Sequence, residues 1–290
     1  MFMEISGKTG LTGLIGSPIA HSISPKMHNL SFQALGLDYV YLAFDIGQSD
    51  LEKVVYGLRE IGAIGYNVTM PYKTAIVKYM DELTPAAQLA GACNTVIIKD
   101  GQMTGHTTDG AGFMRSVQDY GHDIIGKKMS ILGAGGAATS IISQASLDGV
   151  AQIDIFRRKR PEVYEKTVAF AAKVQDRTGC IVNVYDFADT DQMRKSFADS
   201  AILANATSVG MAPGADACPI PDASLLHPDL VVYDIVYNPR RTKLYEMAKK
   251  NGCPVYNGLS MMLFQGAASF KCWTGQDMSV DLIKDEIIAS

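Results

Sequence analysis

A chain of 290 residues is long enough for two compact domains and too long for one average hydrophobic core. Its composition, 47% hydrophobic and 19% charged with a formal net charge of -4, argues against disorder and against a nucleic-acid partner. No stretch approaches the roughly 20 apolar residues that a membrane span needs, and the first residues lack the apolar segment of a secretory signal. We therefore expect a cytoplasmic protein with no membrane or nucleic-acid partner.

The first hundred residues combine strand and helix patterns. Runs rich in β-branched and aromatic residues predict strands at 11–15, 39–46 and 64–68. Asp100-Gly101 predicts a two-residue hairpin between further strands at 95–98 and 102–105. These elements predict an α/β domain with a mixed sheet.

Two helix starts are indicated in the same region. Ser24 is predicted to cap a helix that ends at Gly36, because Pro25 then occupies the first helical turn. The Ser49-x-x-Glu52 sequence predicts a capping box at the start of a second helix.

From residue 128 onward, strand and helix patterns alternate. Strands are predicted at 129–132, 153–156, 181–185, 202–205 and 230–235, with helices reaching to about 148 and 177. This alternation predicts a Rossmann-type, doubly wound parallel sheet. Helical patterns at 260–271 and 280–289 close the chain.

The clearest motif is a glycine-rich turn between a predicted strand and a helix. Gly133-x-Gly135-x-x-Ala138 fits the G-x-G-x-x-A dinucleotide fingerprint, in which the glycines permit a tight turn and close approach to a pyrophosphate. The helix that follows would direct free backbone N–H groups at the phosphates. The alternative is a purely structural turn.

The end of the next predicted strand is basic. Where an NAD-binding domain places an acid, this chain has the run Arg157, Arg158, Lys159 and Arg160. Guanidinium groups suit a 2′-phosphate, so NADP is predicted over NAD, with NAD still possible. A solvated basic loop is the alternative.

Polar residues at loop positions of the first domain form a second candidate set. They are Ser22, Ser24, Asn67, Thr69, Lys73, Asn94 and Asp109. Oxidation of a secondary alcohol by hydride transfer requires removal of the hydroxyl proton, and a lysine paired with an aspartate can take it. Taken singly, the serines are helix caps, Asn94 is a turn residue and Lys73 is a surface charge. Together they suit a small polyhydroxylated substrate.

The motifs together resemble the shikimate dehydrogenase family, and within it the shikimate/quinate dehydrogenase branch. The matching segments are Gly16-Ser17-Pro18-x-x-His21-Ser22-x-Ser24-Pro25, Asn67-Val68-Thr69-x-Pro71-x-Lys73, Gly91-Ala92-x-Asn94-Thr95, Thr108-Asp109-Gly110, Gly133-x-Gly135-Gly136-Ala137, Asn205-Ala206-Thr207-Ser208-x-Gly210-Met211, Asp234-x-x-Tyr237-Asn238-Pro239-x-x-Thr242 and Gly258-x-x-Met261-Met262-x-x-Gln265-Gly266-Ala267. The resemblance implies reversible NAD(P)-dependent oxidation of shikimate to 3-dehydroshikimate, with quinate, a related ring acid, handled similarly in some branches.

The resemblance also implies the roles of individual residues. Lys73 and Asp109 would form the catalytic pair. Substrate would contact Ser22, Ser24, Tyr41, Asn67, Thr69, Asn94, Tyr237 and Gln265. Cofactor would contact Gly133, Ala134, Gly135, Gly136, Ala137, the basic residues Arg157, Arg158, Lys159 and Arg160, then Thr207, Ser208, Gly210, Met211 and Gly258.

The predicted domains follow from the pattern change and the resemblance. Residues 1–112, completed by C-terminal helices at 259–290, would form the substrate domain, and residues 113–258 the dinucleotide domain. Thr107 stands where relatives often have an asparagine, and Arg160 where the quinate-active branch has an acid. The chain is expected to be a monomer or a homodimer.

Scattered cysteines and histidines complete the predictions. The five cysteines never have C-x-x-C spacing, and the five histidines show neither H-x-x-x-H nor H-E-x-x-H spacing, so reduced thiols and no bound metal are expected. Two alternatives to this enzyme remain open. One is a metabolite-sensing regulator on the same fold, and the other is an NADP dehydrogenase for an amino acid or folate.

Overall fold

The computed structural model describes residues 4–288. Residues 1–3 and 289–290, which the predicted domain boundaries and last helix include, lie outside the described residues. The chain divides into two compact units, the first ending at Gly112 and resuming at Met262, the second running from Phe113 to Met261.

The first unit is built on a six-stranded mixed sheet in the order β2-β1-β3-β5-β6-β4. β1 pairs in parallel with β2 and β3, whereas β5 is antiparallel to both β3 and β6. The strands are β1 (Gly10–Gly16), β2 (Tyr39–Asp45), β3 (Gly65–Val68), β4 (Glu82–Leu83), β5 (Thr95–Lys99) and β6 (Gln102–His106). The predicted α/β mixed sheet is confirmed. Because β5 runs antiparallel to both β3 and β6, the residues after β3, before β5 and after β6 lie at the same edge of the sheet.

The hairpin between β5 and β6 forms as predicted. Asp100 and Gly101 both have positive φ, 51° and 77°, and Lys99 pairs with Gln102 on either side. Two positive φ values are what a type I′ turn requires, and its twist matches that of the strands.

Helices of the first unit cover the sheet. They are α1 (Ser24–Ala34), α2 (Leu51–Glu60) and α3 (Pro85–Ala90), α9 (Leu259–Thr274) from Met262 onward, and α10 (Val280–Ile283), which continues as a π-helical turn (Lys284–Ile288). α4 (Asp109–Asp119) begins in this unit and continues into the second.

Two predicted caps are wrong in detail. Asp50, not Ser49, caps α2, because its side chain accepts a hydrogen bond from the Glu52 backbone N–H at 3.1 Å. At α1 the cap position is Ile23, which makes no side-chain bond, and Ser24 is already helical. The Asp50 carboxylate lies one residue nearer the helix and accepts from a free N–H of α2 directly, so the capping box is unnecessary.

The second unit holds a six-stranded sheet in the order β12-β11-β10-β7-β8-β9, with every pair parallel. Its strands are β7 (Lys128–Leu132), β8 (Gln152–Arg157), β9 (Ile181–Asp186), β10 (Ile202–Asn205), β11 (Val231–Asp234) and β12 (Val255–Asn257). Its helices are α5 (Gly136–Leu147), α6 (Pro161–Thr178), α7 (Thr190–Ala198) and α8 (Lys243–Lys250). The Rossmann-type prediction is confirmed. β7 lies between β8 and β10, and at such a reversal ligands bind beside the carboxyl ends of the strands.

Asp154 is a buried carboxylate in the middle of β8. It accepts hydrogen bonds from Ser196 Oγ at 2.6 Å and Asn183 Nδ2 at 2.9 Å, and it pairs with Lys128 Nζ at 3.0 Å. These contacts join Asp154 to β9, α7 and β7, so its environment is structural. No helix within residues 4–288 is both long and apolar enough to cross a membrane.

His28 lies in the aromatic core of the first unit. Its ring stacks on Tyr41 with 4.3 Å between centroids and lies 6.1 Å from Phe270, and it is fully buried. Neither ring nitrogen has a hydrogen-bond partner. Burial therefore lowers the pKa of His28 to about 3, because the protonated ring would lose its hydration without gaining a partner.

His28→Phe should reduce the acid sensitivity of folding. The unfolded histidine takes up a proton near pH 6.5 and the folded one only near pH 3, so wild-type stability should fall as pH drops through that window, by at most about 1.4 kcal/mol per unit. The variant lacks this loss. Urea unfolding between pH 7 and 4.5 measures it, with His21→Gln as a control at an exposed histidine. Parallel pH profiles of wild type and His28→Phe would contradict the assignment.

Candidate active site

Lys73 and Asp109 form a close ion pair at the edge of the mixed sheet. The Lys73 Nζ and Asp109 Oδ2 atoms are 2.6 Å apart, with side chains 20% and 9% exposed. Lys73 lies in the segment after β3, and Asp109 is the first residue of α4. The positive end of that helix stabilises the carboxylate. The pair predicted from the sequence is therefore brought together in space.

Asn94 fixes the other oxygen of the aspartate. Its Nδ2 donates to Asp109 Oδ1 at 2.9 Å, and its Oδ1 accepts from the Thr108 backbone N–H at 2.7 Å. Gln265 Oε1 lies 3.3 Å from the same Nδ2, which brings α9 to the pair. The carboxylate consequently has a defined donor on each oxygen and cannot rotate freely.

Asn94 also contacts a buried polar cluster formed by Asn67, Thr95, Thr108 and Ser269. Asn67 Nδ2 donates to Ser269 Oγ at 2.9 Å and to the Asn94 carbonyl oxygen at 3.0 Å. Ser269 Oγ also lies 2.8 Å from Thr95 Oγ1 and 3.1 Å from Thr108 Oγ1. Sequence reasoning missed Ser269. The available indication was its position four residues after Gln265, which places both on one face of α9.

Tyr41, one of the predicted substrate residues, lies inside the first unit. The side chain is fully buried, and its hydroxyl donates to Asn67 Oδ1 at 2.8 Å. Burial raises the pKa of Tyr41, and a hydrogen bond with Ser24 opposes this rise. Asn67 is also buried, and its amide donates to Ser269 and to the Asn94 carbonyl oxygen within the same unit.

Ser22, Ser24 and Thr69 are half-buried after the parallel strands β1 and β3. Ser22 Oγ accepts from the Ser24 backbone N–H at 3.3 Å. Thr69 approaches Gly16 so closely that a Cβ at that glycine would lie within 2.2 Å of Thr69 Cγ2. The predicted tyrosine Tyr237 belongs to the second unit, where it is 37% exposed and burial raises its pKa.

A cavity of about 310 Å³ opens beside β7, β8 and β10 in the second unit. It is lined by Gly133, Ala134, Gly135, Phe156, Arg157, Arg158, Arg160, Phe187, Ala206, Thr207, Ser208 and Val209. The lining thus includes eight of the predicted cofactor residues and also Phe187 and Val209, which sequence reasoning missed. The other predicted residues, namely Gly136, Ala137, Lys159, Gly210, Met211 and Gly258, are not part of it.

The two fingerprint glycines are required for different reasons. Gly133 has φ +103°, and a Cβ there would lie 2.9 Å from the Ala206 carbonyl oxygen. Gly135 caps α5 in an extended conformation, and a Cβ there would meet no protein atom within 4 Å. The absence of a side chain at Gly135 leaves room at the helix N-terminus, as the approach of a phosphate requires.

Three arginines and no acid line the cavity, so its charge favours an anion. Arg157 ends β8, and Arg158 and Arg160 follow it. Burial together with the charges of Arg160 and Arg158 lowers the pKa of Arg157. These residues fit a dinucleotide that carries an additional phosphate.

Gly258 packs against the backbone of the same unit. A Cβ at this position would lie 1.9 Å from the Ile235 carbonyl oxygen, so only glycine fits.

Among residues 4–288, no three His, Cys, Asp or Glu side chains come together in a group that could hold a metal ion.

Comparison with known proteins identifies the family. Residues 14–96 match the shikimate dehydrogenase substrate binding domain, and residues 258–288 match the shikimate 5'-dehydrogenase C-terminal domain. The chain is 52% identical over 282 residues to shikimate dehydrogenase (NADP(+)) of Listeria monocytogenes serotype 4b, with 97% of each chain covered. It is 48% identical over 290 residues to the protein of that name from Streptococcus uberis, covering 98% of this chain and 97% of the relative.

Solved structures agree. The crystal structure of shikimate 5-dehydrogenase from Listeria monocytogenes in complex with shikimate and NAD matches with a TM-score of 0.94 and 51% identity, covering 98% of both chains. The family resemblance inferred from the sequence motifs is thereby confirmed. Because these relatives match almost the full chain at about half of its positions, this chain belongs to the shikimate dehydrogenase family.

Proposed function

We propose that this chain catalyses the reversible oxidation of shikimate to 3-dehydroshikimate with NADP. The observation that carries the proposal is the Lys73–Asp109 ion pair of 2.6 Å, held by Asn94 in a chain of this family. A regulator that only senses a metabolite has no need of a proton-transfer pair. Quinate is the second substrate that the sequence resemblance implies.

Lys73 handles the proton of the reacting hydroxyl. In the oxidation, the O–H bond breaks and its proton passes to the uncharged Nζ of Lys73, while the carbon's hydrogen leaves with its electron pair and a C=O bond forms. In the reverse direction the ammonium returns the proton. Asp109 keeps Nζ in place through Oδ2, and Asn94 holds Oδ1. This is general acid–base catalysis by a positioned lysine.

The second unit is proposed to hold the dinucleotide. Its phosphates would lie at the N-terminus of α5 beside Gly135, and the 2′-phosphate would contact Arg158 and Arg160. When bound, the nicotinamide ring accepts the hydride. Thr207 and Ser208 line the same cavity.

The substrate contacts carry over from the family motifs. Ser22, Ser24, Thr69, Asn94, Gln265 and Tyr237 are proposed to contact the ring acid, and Tyr41 and Asn67 to support them. The unit that ends at Gly112 and resumes at Met262 is the proposed substrate domain. A cytoplasmic location and a monomeric or homodimeric state stay predictions.

Lys73→Ala should lower kcat for shikimate oxidation by about 10² to 10⁴-fold, because the hydroxyl proton loses its acceptor. The Kd for NADP+, measured by calorimetry, should not change, since the substitution leaves the second unit intact. Lys78→Ala, at an exposed lysine five residues along, is the matched control. Activity of Lys73→Ala near the wild-type level would rule out the catalytic assignment.

Arg158→Ala and Arg160→Ala should each lower kcat/KM with NADP about 10- to 100-fold, because each removes a charge-assisted contact with the 2′-phosphate. The effect on kcat/KM with NAD should be smaller. Initial rates with shikimate and quinate against both cofactors provide the wild-type reference, and Lys166→Ala on α6 is a surface control. A wild-type preference for NAD would overturn the cofactor assignment.

Gly133→Ala and Gly135→Ala should separate folding from cofactor binding. Gly133→Ala should lower Tm, since it adds a strained φ and a backbone clash that cost about 1–3 kcal/mol. Gly135→Ala should leave Tm close to wild type yet raise the Kd for NADP+, because its methyl group faces open space at the helix N-terminus. Thermal unfolding and calorimetry test both. Equal Kd values for wild type and Gly135→Ala would contradict phosphate binding there.

A further inference from the structure

Asp234 is a buried carboxylate that the proposed chemistry does not use. It ends β11 and is 1% exposed. Its Oδ1 accepts from Asn205 Nδ2 at 2.9 Å and from the Val236 backbone N–H at 3.1 Å, and its Oδ2 accepts from Thr242 Oγ1 at 2.5 Å. No ion pair found among residues 4–288 includes Asp234. Burying a carboxylate without a cationic partner costs free energy of folding, so we expect Asp234 to have a functional role.

Asn205 connects this carboxylate to the cavity. Its Oδ1 accepts from the backbone N–H and the hydroxyl of Thr207, at 3.1 and 2.7 Å. The Thr207 hydroxyl oxygen in turn accepts from the Val209 backbone N–H at 3.1 Å. Residues 206–209, which we call the β10 loop, all line the cavity. Two hydrogen bonds therefore lead from Asp234 to the cavity wall.

The orientation of the Asn205 amide depends on the charge of its neighbour. A carboxylate only accepts hydrogen bonds, so Asn205 must direct its NH₂ group to Asp234 and its oxygen to Thr207; the same NH₂ group also donates to the Val209 carbonyl oxygen at 3.4 Å. An asparagine at 234 could donate as well as accept, and the amide of Asn205 could then turn over. Its NH₂ group would then face the Thr207 backbone N–H, which is also a donor, and the hydrogen bond between Asn205 and the β10 loop would be lost.

We infer that Asp234 is a positioning residue that sets the orientation of the Asn205 amide and thereby holds the β10 loop in its cofactor-binding conformation. The inference rests on the proposed function, in which NADP occupies this cavity. Burial raises the pKa of Asp234, and its three hydrogen bonds oppose that rise. Thr242 donates a hydrogen bond to Asp234 Oδ2, the oxygen that does not contact Asn205.

Asp234→Asn should raise the Kd for NADP+ on the order of tenfold, because the loop no longer matches the bound cofactor. The KM for shikimate at saturating NADP+ should stay unchanged. Asp154→Asn is the matched control. It removes a carboxylate that is also 1% exposed in the same sheet but contacts no residue of the cavity lining. It should lower Tm and leave the Kd for NADP+ unaltered.

A second pair keeps the test valid if Asp234→Asn does not fold. Thr242→Val removes the hydroxyl that holds Asp234, whereas Thr242→Ser keeps it. Thr242 also caps α8 by accepting from the Tyr245 N–H at 3.1 Å, and loss of that cap lowers Tm without changing cofactor affinity. We expect Thr242→Val to raise the Kd for NADP+, because the carboxylate loses the donor on Oδ2 that keeps Oδ1 facing Asn205, and Thr242→Ser to retain the wild-type Kd.

The outcomes separate the inference from the proposal on which it depends. If the wild-type protein fails to bind NADP+ in calorimetry, the proposed function is wrong and the inference falls with it. If wild type binds while Asp234→Asn or Thr242→Val binds equally well, only the inference is overturned. A rise in Kd as large in Asp154→Asn as in Asp234→Asn would likewise overturn it, since general loosening of the sheet would then explain the effect.

Discussion

A carboxylate that is buried away from water needs a hydrogen-bond donor for each oxygen, and this requirement shapes both candidate sites. Asp109 meets it with Lys73 and Asn94, and Asp234 meets it with Asn205, Val236 and Thr242. Both donors to Asp109, and the Asn205 donor to Asp234, lie in segments that are distant in the sequence. Satisfying the carboxylate therefore fixes loops that the strands alone would leave free.

The two carboxylates differ in what their partners can do. Asp109 pairs with Lys73, whose ammonium can release a proton and whose amine can accept one. This arrangement can therefore both hold the lysine side chain in place and take part in chemistry. Asp234 is held by neutral donors, so its effect is confined to orientation. Burying a charge without a cation costs free energy, and a fixed cofactor-facing loop is a benefit that offsets this cost. The same sheet also contains Asp154, whose lysine partner gives it a purely structural environment.

Sheet topology decides where these residues meet. In the second unit, Gly133, Arg158 and the β10 loop follow three neighbouring parallel strands, so they share the edge at which the strand order reverses. In the first unit, antiparallel β5 brings Asn94 to the edge where β3 ends, and β6 returns Asp109 to the same edge. At the carboxyl edge of a parallel sheet, the residues that lie together all follow strands. At the corresponding edge of a mixed sheet, residues that precede an antiparallel strand lie there as well.

The sequence by itself determined the α/β class, the doubly wound sheet and the hairpin at Asp100-Gly101. Those predictions rest on local patterns of hydrophobic period and turn residues, whereas the Lys73–Asp109 pair was implied by the family resemblance of the motifs. Only the tertiary structure decided that Ser269 and Asn94 contact the same Asn67 amide, that the buried Tyr41 hydroxyl donates to Asn67 and that Asp234 accepts from Asn205. These contacts join residues tens to hundreds of positions apart. Hydrogen-bond partners are chosen by distance in space, which a period of two or 3.6 residues does not encode.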